Sequence, residues 1–262
     1  DSDNNMVSVS QEADDNDSWV SAFDADDNMV DVSQSGDSNI SAVLLLPSAD
    51  GNDVSVAQSG DDNAAVSWNG FDSDDNVVSI TQMGEFSLAI SANILGASDN
   101  EATITQGPNT VGNLALAVSA GDFNETEIYQ DGFVNAAASL QVGDENEAGI
   151  TQIGALNLGI VWQSGDENYA GLGSFGLFNF NAASQTGDNN FALVGQLGAG
   201  NFSLVDQGGD SNFALVGQLG FGNASLVSMQ GDMDAAAVLQ VGTDNESEIS
   251  LMMSSMNSVN VL

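Results

Sequence analysis

Along the C-terminal half of this 262-residue chain an asparagine returns every 11 residues. Asn113, Asn124, Asn135, Asn146, Asn157, Asn168, Asn179, Asn190, Asn201, Asn212 and Asn223 keep the register, Asp234 takes the next position and Asn245 resumes it. Six residues after most of them stands a glutamine (Gln130, Gln141, Gln152, Gln163, Gln185, Gln196, Gln207, Gln218, Gln240), and each of these is followed two places later by Gly. Self-similarity at a fixed short period is the signature of a solenoid, in which each repeat buries its apolar face only against its neighbours.

Within one unit, N-x-a-x-v-x-Q-x-G-x-x, the even positions hold one kind of residue and the odd positions another, which is the period of a strand. Asn146, Ala148, Ile150 and Gln152 recur as Asn190, Ala192, Val194, Gln196 and again as Asn212, Ala214, Val216, Gln218. A small residue, a branched one and two flanking carboxamides suit a thin interior between two sheets. The Gly after Gln lets the chain reverse through a positive φ. Two units therefore make one rung of strand, turn, strand, turn. The N-terminal half keeps the plan with registers Asn5, Asn16, Asn28, Asn39, Asn52, Asn63, Asn76, Ser87 and Asn100, and the extra residues fall in links such as Phe71–Asp75.

The expected fold is all-β: a β-solenoid of about 11 two-stranded rungs of 22–26 residues each, stacked as cross-β. A single domain is expected over residues 1–262, with longer turns in 1–112, strict 11-residue units in 113–251 and a divergent segment at 252–262. A buried carboxamide is costly unless its donors and acceptors are met. In a stack, identical amides lie one rung apart and can bond to each other as a ladder. Asn124, Gln130, Asn135, Gln141, Asn146, Gln152, Asn157, Gln163, Asn190, Gln196, Asn201, Gln207, Asn212 and Gln218 are the expected ladder residues.

The chain has 38 Asp and Glu but no Lys, Arg, His or Cys. Lys- and His-based catalysis, imidazole or thiolate metal sites and a phosphate-neutralising nucleic-acid surface are thereby excluded. Paired carboxylates recur everywhere, and no pair stands apart from the repeat to suggest acid–base chemistry, so no enzyme is expected. The longest apolar run, Ala42 to Leu46, ends at Pro47 and is too short for a membrane span. No basic segment precedes an apolar one at the start, so any export signal is expected to have been removed already.

The units resemble curlin repeats, the units of bacterial curli-type functional amyloid subunits, with the pattern Q-x-G-x-x-N-x-A-x-x-x-Q. The pattern stands at Gln141, Gly143, Asn146, Ala148 and Gln152, and again at Gln207, Gly209, Asn212, Ala214 and Gln218. The resemblance implies a β-solenoid exported unfolded that polymerises outside the cell into adhesive biofilm-matrix fibres, with secretion and nucleation partners of its own. This chain departs from the family in carrying about twice the repeats of the familiar subunits and in lacking their few basic residues.

The two outward faces differ. Odd units point polar or small groups outward, such as Ser8, Ser33, Thr81, Thr103, Glu125, Glu127 and Thr151. Even units point Ile40, Trp68, Ile90, Leu116, Leu158, Ile160, Trp162, Phe202 and Leu204 outward. That stripe exceeds what soluble monomers leave bare, and lateral pairing of protofilaments is expected there. Links leading into odd units carry Asp122, Asp144, Asp166, Asp188, Asp210 and Asp232, an acidic edge. Unit charges about 5 Å apart in water repel by roughly 0.8 kcal/mol per pair. External cations must offset this, and the six aspartates are candidate weak Ca²⁺ ligands. Their G-D-x-N turn matches neither an EF-hand loop nor a G-G-x-G-x-D β-roll. The glycosylation-like triplets at Asn124, Asn201, Asn223 and Asn245 arise because an inward Asn precedes an inward small residue by two places. A sugar there would block the core.

The expected function is a structural subunit of an extracellular curli-like fibre at the cell surface or in the biofilm matrix, polymerising with itself head to tail by strand addition, with no nucleic-acid partner and no membrane span. The alternative is a monomeric acidic β-solenoid binding rod of the adhesive, ice-binding or Ca²⁺-dependent β-roll type. Outward threonines are too few and irregular for an ice-binding array.

Overall fold

A computed structural model describes residues 4–261, apart from the side chains of residues 253–255, so Met253 of the divergent C-terminal segment lies outside the described side chains. Among the described residues are twenty-three β-strands and no helix. They fall into two compact units, residues 1–134 and 135–262.

In the first unit the strands are β1 (Met6–Glu12), β2 (Asp17–Ala22), β3 (Met29–Ser35), β4 (Ile40–Leu45), β5 (Asp53–Gln58), β6 (Ala64–Asn69), β7 (Val77–Gln82), β8 (Leu88–Asn93), β9 (Glu101–Gln106), β10 (Leu114–Ala120) and β11 (Glu125–Phe133). In the second they are β12 (Ala136–Val142), β13 (Glu147–Ala155), β14 (Leu158–Ser164), β15 (Tyr169–Leu177), β16 (Phe180–Thr186), β17 (Phe191–Ala199), β18 (Phe202–Gly208), β19 (Phe213–Phe221), β20 (Ala224–Asp232), β21 (Ala235–Thr243), β22 (Glu246–Ser255) and β23 (Ser258–Val261). In each unit the odd strands form one sheet and the even strands another, each strand pairing with the one two places on. Each unit is thus a two-sheet parallel β-solenoid, as the alternation of buried and outward positions predicts. In the C-terminal segment β22 runs through Ser255 with a register shift against β20 between Gln230 and Asp232, and β23 pairs with β21 as Ala235↔Ser258 to Val238↔Val261.

Registers place like on like. Gln34 pairs with Gln58, Ala192 with Ala214 and Gln196 with Gln218. The interior is narrow: Ala148, Ile150, Ala192, Val194, Ala214 and Val216 are each 1% exposed or less. Small residues on one row and branched ones on the next let the two sheets close over a single layer of side chains.

The turns between strands need two unusual backbone positions. Gly165 has φ 121°, and a Cβ there would run into the carbonyl of Gly187 one rung on. The residue just before each Asn is left-handed although seldom glycine, as at Glu145, Leu156, Glu167 and Phe178. In the first unit the links into odd strands are longer and tuck a small residue inside, with Ala25, Ala49, Ser73 and Ala97 fully buried.

Candidate functional site: amide ladders, acidic column and apolar faces

The asparagines lie where strand meets turn, and one side chain there serves three groups. Asn157 Nδ2 donates to Asn135 Oδ1 (3.0 Å), and its backbone N–H donates to the same oxygen (3.1 Å). Its second amide proton reaches the Gly176 carbonyl in the turn one rung on (3.1 Å). The triad repeats at Asn168, Asn179, Asn190, Asn201 and Asn223. Asn212 makes it too, reaching Gly231, while Asn135 and Asn146 hold Gly154 and Gly165. In the first unit Asn52 and Asn76 reach the carbonyls of Ser73 and Ala97, so the longer turns keep the acceptor in place. The Asn124 backbone N–H donates to Asn100 Oδ1 at 2.7 Å. Asp234 stands in the same column, accepting from the Asn257 backbone N–H (3.0 Å) and Nδ2 (3.3 Å).

The glutamines run the other way. Gln34 Nε2 donates to Gln58 Oε1, Gln58 to Gln82, Gln82 to Gln106 and Gln106 to Gln130, at 2.8–3.0 Å. In the second unit Gln141 donates to Gln163, Gln163 to Gln185 and Gln185 to Gln207. Gln196 donates to Gln218 and Gln218 to Gln240. Within the columns, each Asn thus donates to the Asn before it and each Gln to the Gln after it. The other Gln proton crosses to the facing sheet, from Gln152 to the Ala136 carbonyl and from Gln163 to that of Glu147.

One column is interrupted in a way that column-by-column reading of the sequence missed. Ser174 stands where Gln would, between Gln152 and Gln196. Asn181 on the facing sheet fills the space and donates to Ser174 Oγ (2.9 Å) and to the Gly173 carbonyl (3.0 Å). Gln196 Oε1 and Asn181 Oδ1 are left buried without a partner. The signal was in the sequence, as Asn at a small-residue position beside Ser at a Gln position.

The aspartates of the acidic edge make backbone bonds. Asp166 Oδ1 accepts from the Asp144 N–H (2.9 Å), Asp188 from Asp166 (2.9 Å), Asp210 from Asp188 (3.0 Å) and Asp232 from Asp210 (3.0 Å). In the first unit Asp122 Oδ1 accepts from the Ser98 N–H at 3.0 Å. Among the described residues no three acidic side chains come together in a way that could hold a metal ion.

Of the even-sheet apolar residues, Ile40 and Trp68 are exposed in the first unit, where half-buried Ile90 and Leu116 are register partners. In the second unit Ile160, Trp162 and Phe202 are exposed, Leu158 and Leu204 half-buried. Phe180 stacks on Phe202 at 5.0 Å. The odd face departs from expectation. It stays polar through Glu147 and Thr151 of β13, then turns apolar over β15, β17, β19 and β21. Tyr169, Phe191 and Phe213 stack at 4.8 and 5.1 Å, and Leu193, Leu197, Leu215 and Leu219 are 39–55% exposed. The same alternation that points Thr151 outward points these residues outward, so position in the repeat fixes the direction and not the polarity.

No curated protein matches the chain. The family described as Curlin associated repeat matches residues 3–36, 25–60, 121–154, 143–176 and 182–209, together more than half of it. The stacked Q-x-G-x-x-N units of a helix-free two-sheet solenoid and these five matches agree: the chain belongs to the curlin-associated-repeat family.

Proposed function

We propose that the chain is the structural subunit of an extracellular functional-amyloid fibre, adding to itself head to tail by strand addition and serving adhesion in a biofilm matrix. The observation that carries this reading is the like-on-like register. Each strand meets its successor with the same backbone pairing and, at most inward positions, the same side chain. A stack in which every rung is a template for the next is the geometry of cross-β growth, and a free edge strand recruits another strand by the bonds used inside the sheet. The family and the solenoid fold point to a structural, non-enzymatic role. Counter-cations from the medium, Ca²⁺ among them, offset the Asp column as stacks grow. Export and nucleation partners follow from the same family reading. Electron microscopy and fibre diffraction of the purified chain are expected to show fibres with a repeat near 4.8 Å along the axis. A chain that stays monomeric in saline at high concentration would defeat the reading.

A further inference from the structure

We propose that the odd-sheet face of β15, β17, β19 and β21 is a self-pairing surface, packing against the same face of a second copy of this chain about a two-fold axis parallel to the stacking direction. The inference rests on the structural-subunit reading, since pairing of this kind accumulates along a stack.

Shape is the first argument. Gly173, Gly195 and Gly217 are in register, so a strip of bare backbone runs across three strands. Leu193 and Leu215 rise on one side of it, and Phe175, Leu197 and Leu219 on the other. The strip ends at Thr151 of β13 and at Leu239 of β21, which stand in the glycine column. Side chains two residues apart along a strand lie about 6.6 Å apart on the same face. A two-fold axis running up the stack midway between the leucine and glycine columns exchanges them. Leu193 and Leu215 of each copy then seat on the glycine strip of the other, and Phe191 and Phe213 meet the other copy's Leu197 and Leu219. One surface supplies both ridge and groove, as an isologous interface requires.

Charge is the second argument. With 38 acidic residues and no basic one, the chain has no opposite charge to offer its own copy. Contact between copies needs a surface free of carboxylates. The outward residues of β15, β17, β19 and β21 include none. The even face of the second unit carries Asp206, Glu246 and Glu248, and the odd face of the first unit carries Asp31, Asp53, Glu101, Glu125 and Glu127.

Area sets the strength. Four strands about 4.8 Å apart, each presenting some 25 Å of length, cover roughly 500 Å² per copy. The total of about 1,000 Å² lies at the lower limit of a specific interface. A single pair is weak, whereas stacked copies add their contacts and bind as a multivalent array.

The test fills the groove without disturbing the fold. A Cβ at Gly195 meets nothing within 4 Å, one at Gly217 meets the Leu239 Cδ1 end at 3.2 Å and the Val238 carbonyl oxygen at 4.0 Å, and neither glycine is left-handed. Gly195→Val with Gly217→Val therefore suits the strands, while the leucines of a second copy lose their seat. Mass per unit length of fibres is measured by scanning transmission electron microscopy. The expected result is two rungs per rung height, one from each of two paired stacks, for the unmodified chain and one for the variant. Single-stack fibres of the unmodified chain, or an unchanged mass in the variant, would overturn the proposal. So would a halving caused by Ile160→Ser with Trp162→Ser but not by the glycine replacements, which would move the interface to the even sheet. If the unmodified chain forms no fibre, the fibre reading fails on its own. Pairing is then read by sedimentation equilibrium, where the variant is expected to raise the dimer dissociation constant at least tenfold and a strictly monomeric unmodified chain refutes it.

Discussion

A single interior asparagine in this fold holds more of the structure than its size suggests. Asn190 Oδ1 accepts from both the backbone N–H and the Nδ2 of Asn212, at 3.0 Å each, while its own amide donates to Asn168 Oδ1 and the Gly209 carbonyl. Asn190→Ala strips four bonds and leaves their partners in a dry interior. An orphaned buried polar group costs about 1–3 kcal/mol, so a loss of roughly 4 kcal/mol is expected in denaturant unfolding. Aspartate at the exposed edge is a different case, because water can replace its backbone bond. Asp188→Ala is expected to cost less than about 1 kcal/mol at moderate salt. Equal losses for the two variants would refute the assignment of stability to the buried column. The position of these residues was legible in the sequence, since only an inward, stacked role explains an Asn held at 11-residue spacing. The direction of the bonds was not. Spacing alone does not reveal that each Asn donates to the Asn before it and each Gln to the Gln after it, because that depends on which carbonyl each turn presents to the second Asn proton.

At the level of strands, the alternation along β13, β17 and β19 follows directly from the repeat, and the inward rows are as the spacing predicts. What single-column reading misses is compensation across the two sheets. Ser174 on β15 and Asn181 on β16 exchange bulk across the core, and neither substitution makes sense without the other. Ser174→Gln alone is expected to overpack against Asn181 and cost about 1–3 kcal/mol. Combined with Asn181→Ala it restores an uninterrupted Gln column and gives Gln196 Oε1 a donor. The double variant is expected to exceed the unmodified chain in stability by about 1–2 kcal/mol. A double-mutant cycle then reads a coupling well above 0.5 kcal/mol. Additive effects would show that the two residues do not share one space. The odd face of β15–β21 was equally open to reading, because the alternation that points Thr151 outward also points Phe191 and Leu193 outward. Outward polarity is not periodic in this chain, so a face characterised from its first rungs does not predict its last ones.

Across the whole chain, electrostatics opposes what hydrogen bonding favours. The net charge is −38, and the turns of the second unit stack Asp144, Asp166, Asp188, Asp210 and Asp232 one rung apart. Each neighbouring pair opposes stacking by roughly 0.8 kcal/mol in unscreened water, and a Debye length of about 8 Å at physiological salt removes part of this. Assembly of the chain is therefore expected to accelerate steeply with ionic strength. The acceleration should be shared by Na⁺ and Ca²⁺ salts at matched ionic strength if screening alone acts, and a much larger effect of Ca²⁺ would reveal direct ligation. The side-chain bonds allow charge and hydrogen bonding to be separated. Asparagine keeps an Oδ1 that accepts the backbone N–H but carries no charge. The triple replacement Asp166→Asn, Asp188→Asn, Asp210→Asn should thus preserve the turn while removing three adjacent charges. Its assembly, followed by light scattering from low to high salt, is expected to begin at lower ionic strength and to depend less steeply on it. The corresponding triple alanine variant loses the charges and the bonds together, so it should show the same reduced salt dependence with a lower melting temperature. If the asparagine variant instead assembles more slowly than the unmodified chain at every salt concentration, the carboxylates do more than accept backbone N–H groups, and the acidic column is an attractive element of the stack through the cations it binds.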